Sequence, residues 1–216
     1  MNKNMFEDFE YVFNNQIKLF INSKIDIRNY PRILKMAIEK YLYCLSNKSI
    51  KHIPINILNS GDEYTSFLVF LSREAYLNNC IELAEVSYLL NRRINNFECF
   101  YTREIPEIFH LDHPIGSVIG QAKLSNFLVI YQGVTIGGDL KLRYPKIKEG
   151  VVLFAKASVI GNCNVGSNCA IGANSQLFQK DLQDNHSISL RNDSFQYIKK
   201  MNWNVKEKFF KSCKLH

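Results

Sequence analysis

The chain has 216 residues, of which 46% are hydrophobic and 22% charged, a balance typical of one or two globular domains rather than of a disordered segment. No apolar run approaches the roughly 20 residues that span a bilayer, and the first residues, MNKNMFEDFEYVF, carry acids where a secretory signal needs a basic and then apolar pattern. Because both patterns are missing, the sequence predicts a cytoplasmic protein with no stable membrane insertion. The net charge of +7 suits an anionic ligand or surface without selecting one.

Six cysteines are scattered through the chain, and none forms the CxxC pair that is typical of a zinc site. In a reducing compartment, isolated cysteines stay as free thiols. The sequence therefore predicts free thiols and no bound metal. The six are Cys44, Cys80, Cys99, Cys163, Cys169 and Cys213.

Residues 1–103 are predicted to form an α-helical domain. Four segments repeat aromatic and aliphatic residues at spacings of three and four, as amphipathic helices do: FEDFEYVFNNQIKLFI, YPRILKMAIEKYLYCL, SGDEYTSFLVFLSREAYL and IELAEVSYLLNRRINNF. Ser60 and Asp62 are alternative N-caps for the third segment. Glycine is nearly absent from this region, since Gly61 is the only one before Gly116.

The pattern changes near residues 98–112, which indicates a domain boundary. Nine of the ten glycines lie between Gly116 and Gly172, and short aliphatic runs replace the helical spacing. The sequence predicts a second domain over residues 104–190 and a basic tail over residues 191–216. We interpret the tail as a terminal helix rather than as a segment that binds nucleic acid or a membrane.

Aliphatic residues recur every six positions in the second domain. Small or apolar residues follow most of them four positions later, and asparagines that tolerate turn conformations lie between. This periodicity predicts a parallel β-helix, in which stacked coils bury the aliphatic ladders and small side chains, Cys163 and Cys169 among them, fill the inward corners. The ladder residues are Val118, Leu124, Ile130, Ile136, Ile147, Leu153, Val159, Val165, Ile171 and Leu177; the small positions are Ala122, Leu128, Val134, Val151, Ala157, Cys163, Cys169 and Ser175; the asparagines are Asn162, Asn168 and Asn174.

The repeat is interrupted once, by the segment GGDLKLRYPK. The ladder residues on either side of it, Ile136 and Ile147, are eleven positions apart instead of six. A polar insertion in a regular coil predicts a loop that projects from the prism. Loops on a rigid scaffold commonly carry binding and catalytic groups.

Several stretches together resemble the hexapeptide-repeat acyltransferases: HPIGSVIG, IYQGVTIGG and YPKIKEGVVLFAKASVIGNCNVGSNCAIGANS. The chain is similar to the serine acetyltransferase-like group, which includes bacterial capsule and lipopolysaccharide O-acetyltransferases. The resemblance covers residues 104–190 and implies a left-handed β-helix, a homotrimer or a dimer of trimers, and acetyl-CoA as the donor substrate in the groove between neighbouring prisms.

The resemblance implies that His113 is the general base, since a histidine at this position takes the proton of the acceptor hydroxyl. Histidine suits that role because its unperturbed pKa is about 6.5. The segment REIP offers Glu104 as the carboxylate that orients the base. Because this segment is shorter than in serine acetyltransferases, Glu98, Glu107 and Asp112 remain alternatives.

The donor site is predicted along the repeat. Gly137 and Gly138 are predicted to offer backbone N–H groups to the oxyanion, because glycine has no Cβ to block a close approach. The resemblance implies that the pantetheine slot is lined by the backbone near Ala155, Ala157 and Ala173. Lys156 and Lys180 are candidates for contacts with the CoA phosphates, although solvated surface lysines are the favoured interpretation of both.

The residues that would bind the acceptor match those of the serine enzymes only in part. The chain keeps Asp112 and Arg143 of the serine enzymes but has Tyr144, a ring able to stack on a sugar, where their second histidine stands. The helical half carries no pattern that we recognise from those enzymes. The favoured acceptor is therefore a sugar hydroxyl of a surface polysaccharide or its precursor, and serine is the alternative.

Two further classes share the predicted architecture. A γ-class carbonic anhydrase needs three zinc-binding histidines, and only His113 and His186 accompany the repeat, with His110 just before it. A catalytically inactive scaffold is the non-enzymatic alternative, and it would show no acetyl transfer.

Overall fold

Four α-helices form the N-terminal half of the computed structural model, which describes residues 3–49, 58, 60–191 and 195–211. They are α1 (Lys3–Gln16), α2 (Pro31–Asn47), α3 (Gly61–Leu77) and α4 (Ile81–Asn95), with a π-helical turn after α1 and a 3₁₀ turn before α2. These bounds confirm the four segments that the spacing predicts.

The helix ends follow local chemistry. Pro31 occupies the first turn of α2, where its missing N–H costs nothing. Ser60 caps α3, because its side-chain oxygen accepts from the Glu63 backbone N–H at 3.4 Å. Asp62, the alternative cap, is therefore left free to point elsewhere, and it is the residue that reaches the site described below.

A parallel β-solenoid of three sheets follows the helices. One sheet runs in the order β1-β3-β6-β9-β12, the second β4-β7-β10, and the third β2-β5-β8-β11-β13-β14. Because each coil adds one short strand to each sheet, equivalent residues lie above one another. The strands are β1 (Glu98–Cys99), β2 (Phe109–Leu111), β3 (Val118–Ile119), β4 (Lys123–Leu124), β5 (Leu128–Ile130), β6 (Thr135–Gly137), β7 (Lys146–Ile147), β8 (Val151–Leu153), β9 (Ser158–Ile160), β10 (Asn164–Val165), β11 (Cys169–Ile171), β12 (Gln176–Phe178), β13 (His186–Arg191) and β14 (Phe195–Lys200).

The predicted ladders are confirmed from Ile130 onward, where every ladder residue is buried. The first position is wrong: Val118 is 40% exposed, and its neighbour Ile119 faces inward and pairs with Ile136. The first hexad is therefore displaced by one residue. Of the predicted turn asparagines, Asn168 and Asn174 adopt positive φ; at the third turn Gly161 does so in place of Asn162.

The cysteine prediction is confirmed for the described residues. Cys44, Cys80, Cys99, Cys163 and Cys169 are free thiols, and Cys213 lies outside the described residues. Cys163 and Cys169 are fully buried in the solenoid interior, and burial raises the pKa of both thiols. Both are core residues, as expected of a small apolar side chain.

One continuous core joins the helices to the first coils. The Phe70 ring of α3 stacks on Phe109 of β2, with ring centroids 5.2 Å apart. The Cys44 thiol of α2 donates to the Phe109 carbonyl at 3.2 Å. β1 lies before residue 104 and already pairs with β3, so the solenoid sheet includes part of the predicted helical domain. The division at residues 103 and 104 stays a prediction.

The C-terminal segment contains the expected helix, α5 (Val205–Phe209), preceded by the unpredicted strand β14. β14 pairs antiparallel with β13 and closes the third sheet. α5 then returns along the outer face of that sheet, where Val205 and Phe210 pack on Val129 and Val152. Among the described residues, no helix is long and apolar enough to cross a membrane.

Candidate active site around His113

His113 lies at the corner between β2 and β3, in a left-handed backbone conformation with φ of 51°. Left-handed backbone is uncommon for residues other than glycine, and it persists where the surroundings hold it in place. Here the His113 backbone N–H donates to Asp62 Oδ2 at 3.2 Å. The side chain is 78% exposed and so is open to a ligand.

Two carboxylates flank the His113 ring. Nδ1 lies 3.7 Å from Asp62 Oδ2, and Nε2 lies 3.6 Å from Asp112 Oδ1. Both carboxylates are half-buried, and burial raises the pKa of Asp62. Asp112 comes from the same turn as the histidine, whereas Asp62 comes from the first turn of α3, 51 positions earlier. The helical half therefore supplies part of the site.

A buried ion pair fixes the first turn of α3. Lys48 Nζ lies 3.0 Å from both carboxylate oxygens of Glu63, and the Tyr41 hydroxyl donates to Glu63 at 3.1 Å. The Lys48 side chain is fully buried. Since Glu63 follows Asp62 directly in the chain, this network ties the Asp62 backbone to the C-terminal end of α2.

The phenol of Tyr131 lies near the Asp112 carboxylate. Burial, together with the hydrogen bond to the Asp112 carboxylate, raises the pKa of the Tyr131 phenol. The Tyr131 ring stacks on Phe154, with centroids 5.3 Å apart. This ring pair joins successive coils beside Asp112.

Glu104 does not lie beside His113 within the chain. It lines a cavity of about 570 Å³ between α2, α3 and the segment 104–107, together with Glu107. Glu98 forms an ion pair with Arg92 at 3.2 Å. Among the described residues, the carboxylates within 4.0 Å of the His113 ring are those of Asp62 and Asp112. The prediction of Glu104 as the orienting acid stays a prediction, and within the chain the carboxylates beside the ring are those of Asp62 and Asp112.

The predicted donor residues divide between two edges of the prism. The His113 edge is the corner that joins the third sheet to the first. Its successive turns stack through hydrogen bonds in which a backbone N–H donates to the carbonyl of the preceding turn: Gly133 to Ile115, Lys156 to Gln132 and Asn174 to Ala155. Each of these bonds is 2.8 to 2.9 Å long. Ala155, Lys156, Ala157 and Ala173 belong to this edge. The predicted pantetheine slot thus runs along the same edge as the base.

The loop edge is the corner that joins the first sheet to the second, and it carries the projecting loop. Within the loop, Arg143 Nε donates to Asp139 Oδ2 at 2.8 Å, and this bond lowers the pKa of the Asp139 carboxyl. Gly138 lies under the Tyr144 ring, where an added Cβ would come within 2.7 Å of ring carbon. The loop tip exposes Leu140 and Leu142.

The remaining predicted residues, Gly137 and Lys180, also belong to the loop edge. Gly137 has open space around its Cα, and Lys180 is exposed. In a single chain the structure therefore does not gather Arg143, Tyr144 and these two residues around His113. The base and the loop occupy different edges of one prism.

No protein-family model matches the chain. It is 37% identical over 103 residues to a serine acetyltransferase of Staphylococcus aureus, a match that covers 43% of this chain and 48% of that protein. It is 33% identical over 113 residues to a serine acetyltransferase of Staphylococcus epidermidis, covering 50% and 53%. The chain spans about half the length of the curated relatives that it matches.

Solved structures resemble the chain over nearly its whole length. A serine acetyltransferase in complex with cysteine gives a TM-score of 0.69 at 20% identity, covering 93% of this chain and 82% of that one. A serine acetyltransferase in complex with CoA gives 0.66 at 21% identity, covering 88% and 83%. The Neisseria gonorrhoeae enzyme gives 0.67 at 22% identity, covering 89% and 80%.

These likenesses confirm the predicted fold class: N-terminal helices, then a left-handed parallel β-helix with a projecting loop and a C-terminal helix. They also correct one expectation. The helical half carries no familiar sequence pattern, yet the shared fold includes it, since 93% of this chain is covered.

Proposed function

We propose that this protein is an acetyl-CoA-dependent O-acetyltransferase whose acceptor is serine. The observation that carries the proposal is the His113 ring between two carboxylates, Asp62 and Asp112, at 3.7 and 3.6 Å. The named relatives and the shared fold support the same reaction class. Serine, the alternative in the sequence interpretation, now replaces the sugar hydroxyl as the favoured acceptor.

The two carboxylates suit different tasks. Asp62 is anchored by the His113 backbone N–H and by the buried network behind Glu63, so it is the better orienting group for Nδ1. Nε2 is then the base, in the arrangement by which a carboxylate fixes the tautomer of a catalytic histidine. Asp112, beside Nε2, faces the position that the acceptor occupies.

The reaction follows from that assignment. Nε2 of His113 takes the proton of the serine hydroxyl while the oxygen attacks the thioester carbonyl carbon. The tetrahedral intermediate collapses with cleavage of the carbon–sulfur bond, and the imidazolium returns the proton to the leaving thiolate. The products are O-acetylserine and CoA. Asp62 stabilises the imidazolium while it carries the proton.

The charge beside the base favours an amino acid over a sugar. A free serine carries an ammonium group near its hydroxyl, and a half-buried carboxylate beside Nε2 is a complementary partner for it. A sugar hydroxyl brings no cation to offset the two negative charges.

A trimer would complete this site. Within one chain His113 and the Ala155–Ala157 turn share one edge, whereas Gly137, Gly138 and Arg143 lie on another. A three-fold assembly sets the His113 edge of one prism against the loop edge of the next. We propose that acetyl-CoA occupies this groove, with the backbone near Ala173 lining its pantetheine arm. The exposed loop leucines, Leu140 and Leu142, would then be covered by the neighbouring chain.

A comparison of acceptors tests the proposal. Thiol release from acetyl-CoA would be measured with L-serine, with 3-hydroxypropionate, which lacks the ammonium, and with a panel of glycans. We expect turnover with serine and no turnover with the glycans. With 3-hydroxypropionate, kcat/KM should be at least a hundredfold lower, because the loss of a charge-assisted pair costs about 3 kcal/mol.

Two outcomes would contradict the proposal. Turnover on a glycan that exceeds turnover on serine would restore the sugar as acceptor. No thiol release with any acceptor, from protein that elutes as a trimer and binds CoA, would support the inactive scaffold.

A further inference from the structure

A basic cavity lies at the base of the projecting loop, away from His113. Its volume is about 400 Å³, and it is lined by the segments 102–104, 121–123 and 144–146. Three of the lining residues are cations, Arg103, Lys123 and Lys146, and Glu104 is the acid among them. At neutral pH the lining therefore carries a net charge of +2 (three cations less one acid).

Arg103, which lines this cavity, has one unused donor. Its Nη1 donates to Gln121 Oε1 at 3.2 Å, and its guanidinium lies 6.0 Å from the centre of the Phe100 ring. Its Nε is buried and has no hydrogen-bond partner among the described residues. Buried donors without partners are rare in native structures, and a ligand is one ordinary reason for them. An oxyanion is the natural partner, because a guanidinium binds phosphate or carboxylate through two parallel N–H bonds.

Lys123 and Lys146 reinforce this charge. They are directly paired residues on the adjacent strands β4 and β7, whose backbones in such a sheet lie about 4.8 Å apart. Like charges placed opposite each other destabilise a sheet. Among the described residues, no carboxylate forms an ion pair with either lysine or with Arg103. The repulsion between the two ammonium groups is relieved if an anion binds.

We propose that this cavity binds a multivalent oxyanion, a phosphate or pyrophosphate group, between Arg103 and the two lysines. A single carboxylate would neutralise only half of the net charge of +2, whereas a phosphate dianion matches it. The group is either a free phosphoanion or a phosphate of the CoA moiety. The proposal concerns Arg103, Lys123 and Lys146, which lie away from His113 within the chain, and it does not depend on the identity of the acceptor.

Calorimetric titration of the full chain with pyrophosphate, at low ionic strength, tests the proposal. We expect saturable binding with one anion per chain. The Arg103→Gln variant and the Lys123→Gln/Lys146→Gln double variant should each weaken binding at least tenfold. Lys199→Gln is the matched control, because it removes one exposed lysine on β14, far along the solenoid, and should leave the affinity unchanged.

The thermal midpoint gives an independent readout. Pyrophosphate should raise the midpoint of the wild-type chain and leave that of the double variant unmoved, because a ligand that binds only the folded state stabilises it. Without any anion, Lys123→Gln alone should raise the midpoint, since it removes the facing like charge.

Competition with CoA identifies the source of the phosphate. If CoA displaces pyrophosphate and CoA lacking its 3′-phosphate does not, the occupant is the nucleotide of the donor. If pyrophosphate binds unchanged in saturating CoA, the occupant is a free phosphoanion. Equal affinity of the wild-type, Arg103→Gln and double-variant chains, or no binding at all, would overturn the proposal.

Discussion

The helical half and the solenoid obtain their cores by different means. In the helices, large aromatic side chains interlock, as in the edge-to-face pair of Phe9 and Phe67 with centroids 4.8 Å apart. In the solenoid, the interior consists of aliphatic and small residues that stack coil on coil, such as Val151 under Cys169. The first arrangement depends on contacts distant in sequence, and the second repeats one local rule.

This difference bears directly on the site. The solenoid provides a straight edge on which His113 and the Ala155–Ala157 turn lie in line. It does not provide the carboxylate beside Nδ1, which comes from α3. The proposed site therefore depends on how the helical half packs on the solenoid, and the predictions below test that dependence.

Loss of the base should have the largest effect. His113→Asn removes the imidazole, and asparagine tolerates the left-handed backbone found at this position. We expect kcat to fall by about 10² to 10⁴, the usual contribution of a general base. Steady-state kinetics with acetyl-CoA and serine measure this, and an unchanged thermal midpoint shows that the fold is intact. Activity within threefold of wild type would remove His113 from the mechanism.

The buried ion pair should give the largest effect on stability. Lys48→Met leaves Glu63 buried without its cation, and we expect a loss of about 3 to 5 kcal/mol in the free energy of unfolding. The control is the double variant Lys48→Met/Glu63→Leu, which should recover most of that loss because no buried charge remains. Urea denaturation measures both. A single variant as stable as wild type would show that the pair does not hold α3.

The solenoid was largely predictable because its rule is local and repeated. Once six-residue spacing is recognised, the ladder from Ile130 to Leu177 follows, and only the first coil is displaced, where Ile119 replaces Val118 inside. Ile119 lies five positions before Leu124 instead of six, so a search for six-residue spacing selects Val118 in its place. The helices were predictable as elements, since each shows its own periodicity, but their packing partners were not.

The site was only partly predictable for the same reason. His113 and Asp112 stand together in the sequence and in the repeat, so a local motif finds them. Asp62 has no local signal beyond a place in the first turn of a helix, where an acid is usually explained by the helix dipole. Its contact with His113 spans 51 positions and becomes visible only in three dimensions.

The partly buried His110 should make stability depend on pH at the junction of the two halves. Burial lowers the pKa of His110 to about 4 from an ordinary 6.5, so the unfolded chain binds more protons between these values. Stability is then full above pH 6.5 and decreases as the pH falls toward 4, by roughly 3 kcal/mol at most.

Urea denaturation of the wild-type chain and of His110→Leu between pH 7.5 and 4.5 measures this loss. The leucine variant should lose most of the pH dependence in that range. His186→Gln, which alters a histidine on the exposed side of β13, should keep the wild-type slope. Equal slopes for all three chains would exclude His110 as the cause.

The last prediction compares the effects of replacing Asp62, the acid from α3, and Glu104, the acid predicted from the sequence. Asp62→Asn keeps the size of the side chain and removes the charge that stabilises the His113 imidazolium. We expect kcat/KM for serine to fall about ten- to a hundredfold, corresponding to one or two pKa units of lost stabilisation. Glu104→Gln, which alters the lining of a separate cavity, should stay within threefold of wild type.

The affinity of the Asp62→Asn variant for CoA, measured by calorimetry, should equal that of wild type, because Asp62 does not lie on the Ala155–Ala173 part of the His113 edge. A merely structural role for Asp62 would instead lower stability and CoA affinity together. If Glu104→Gln were the more damaging change, the orienting carboxylate would have to reach His113 from a neighbouring chain, and the regular half alone would contain the catalytic pair.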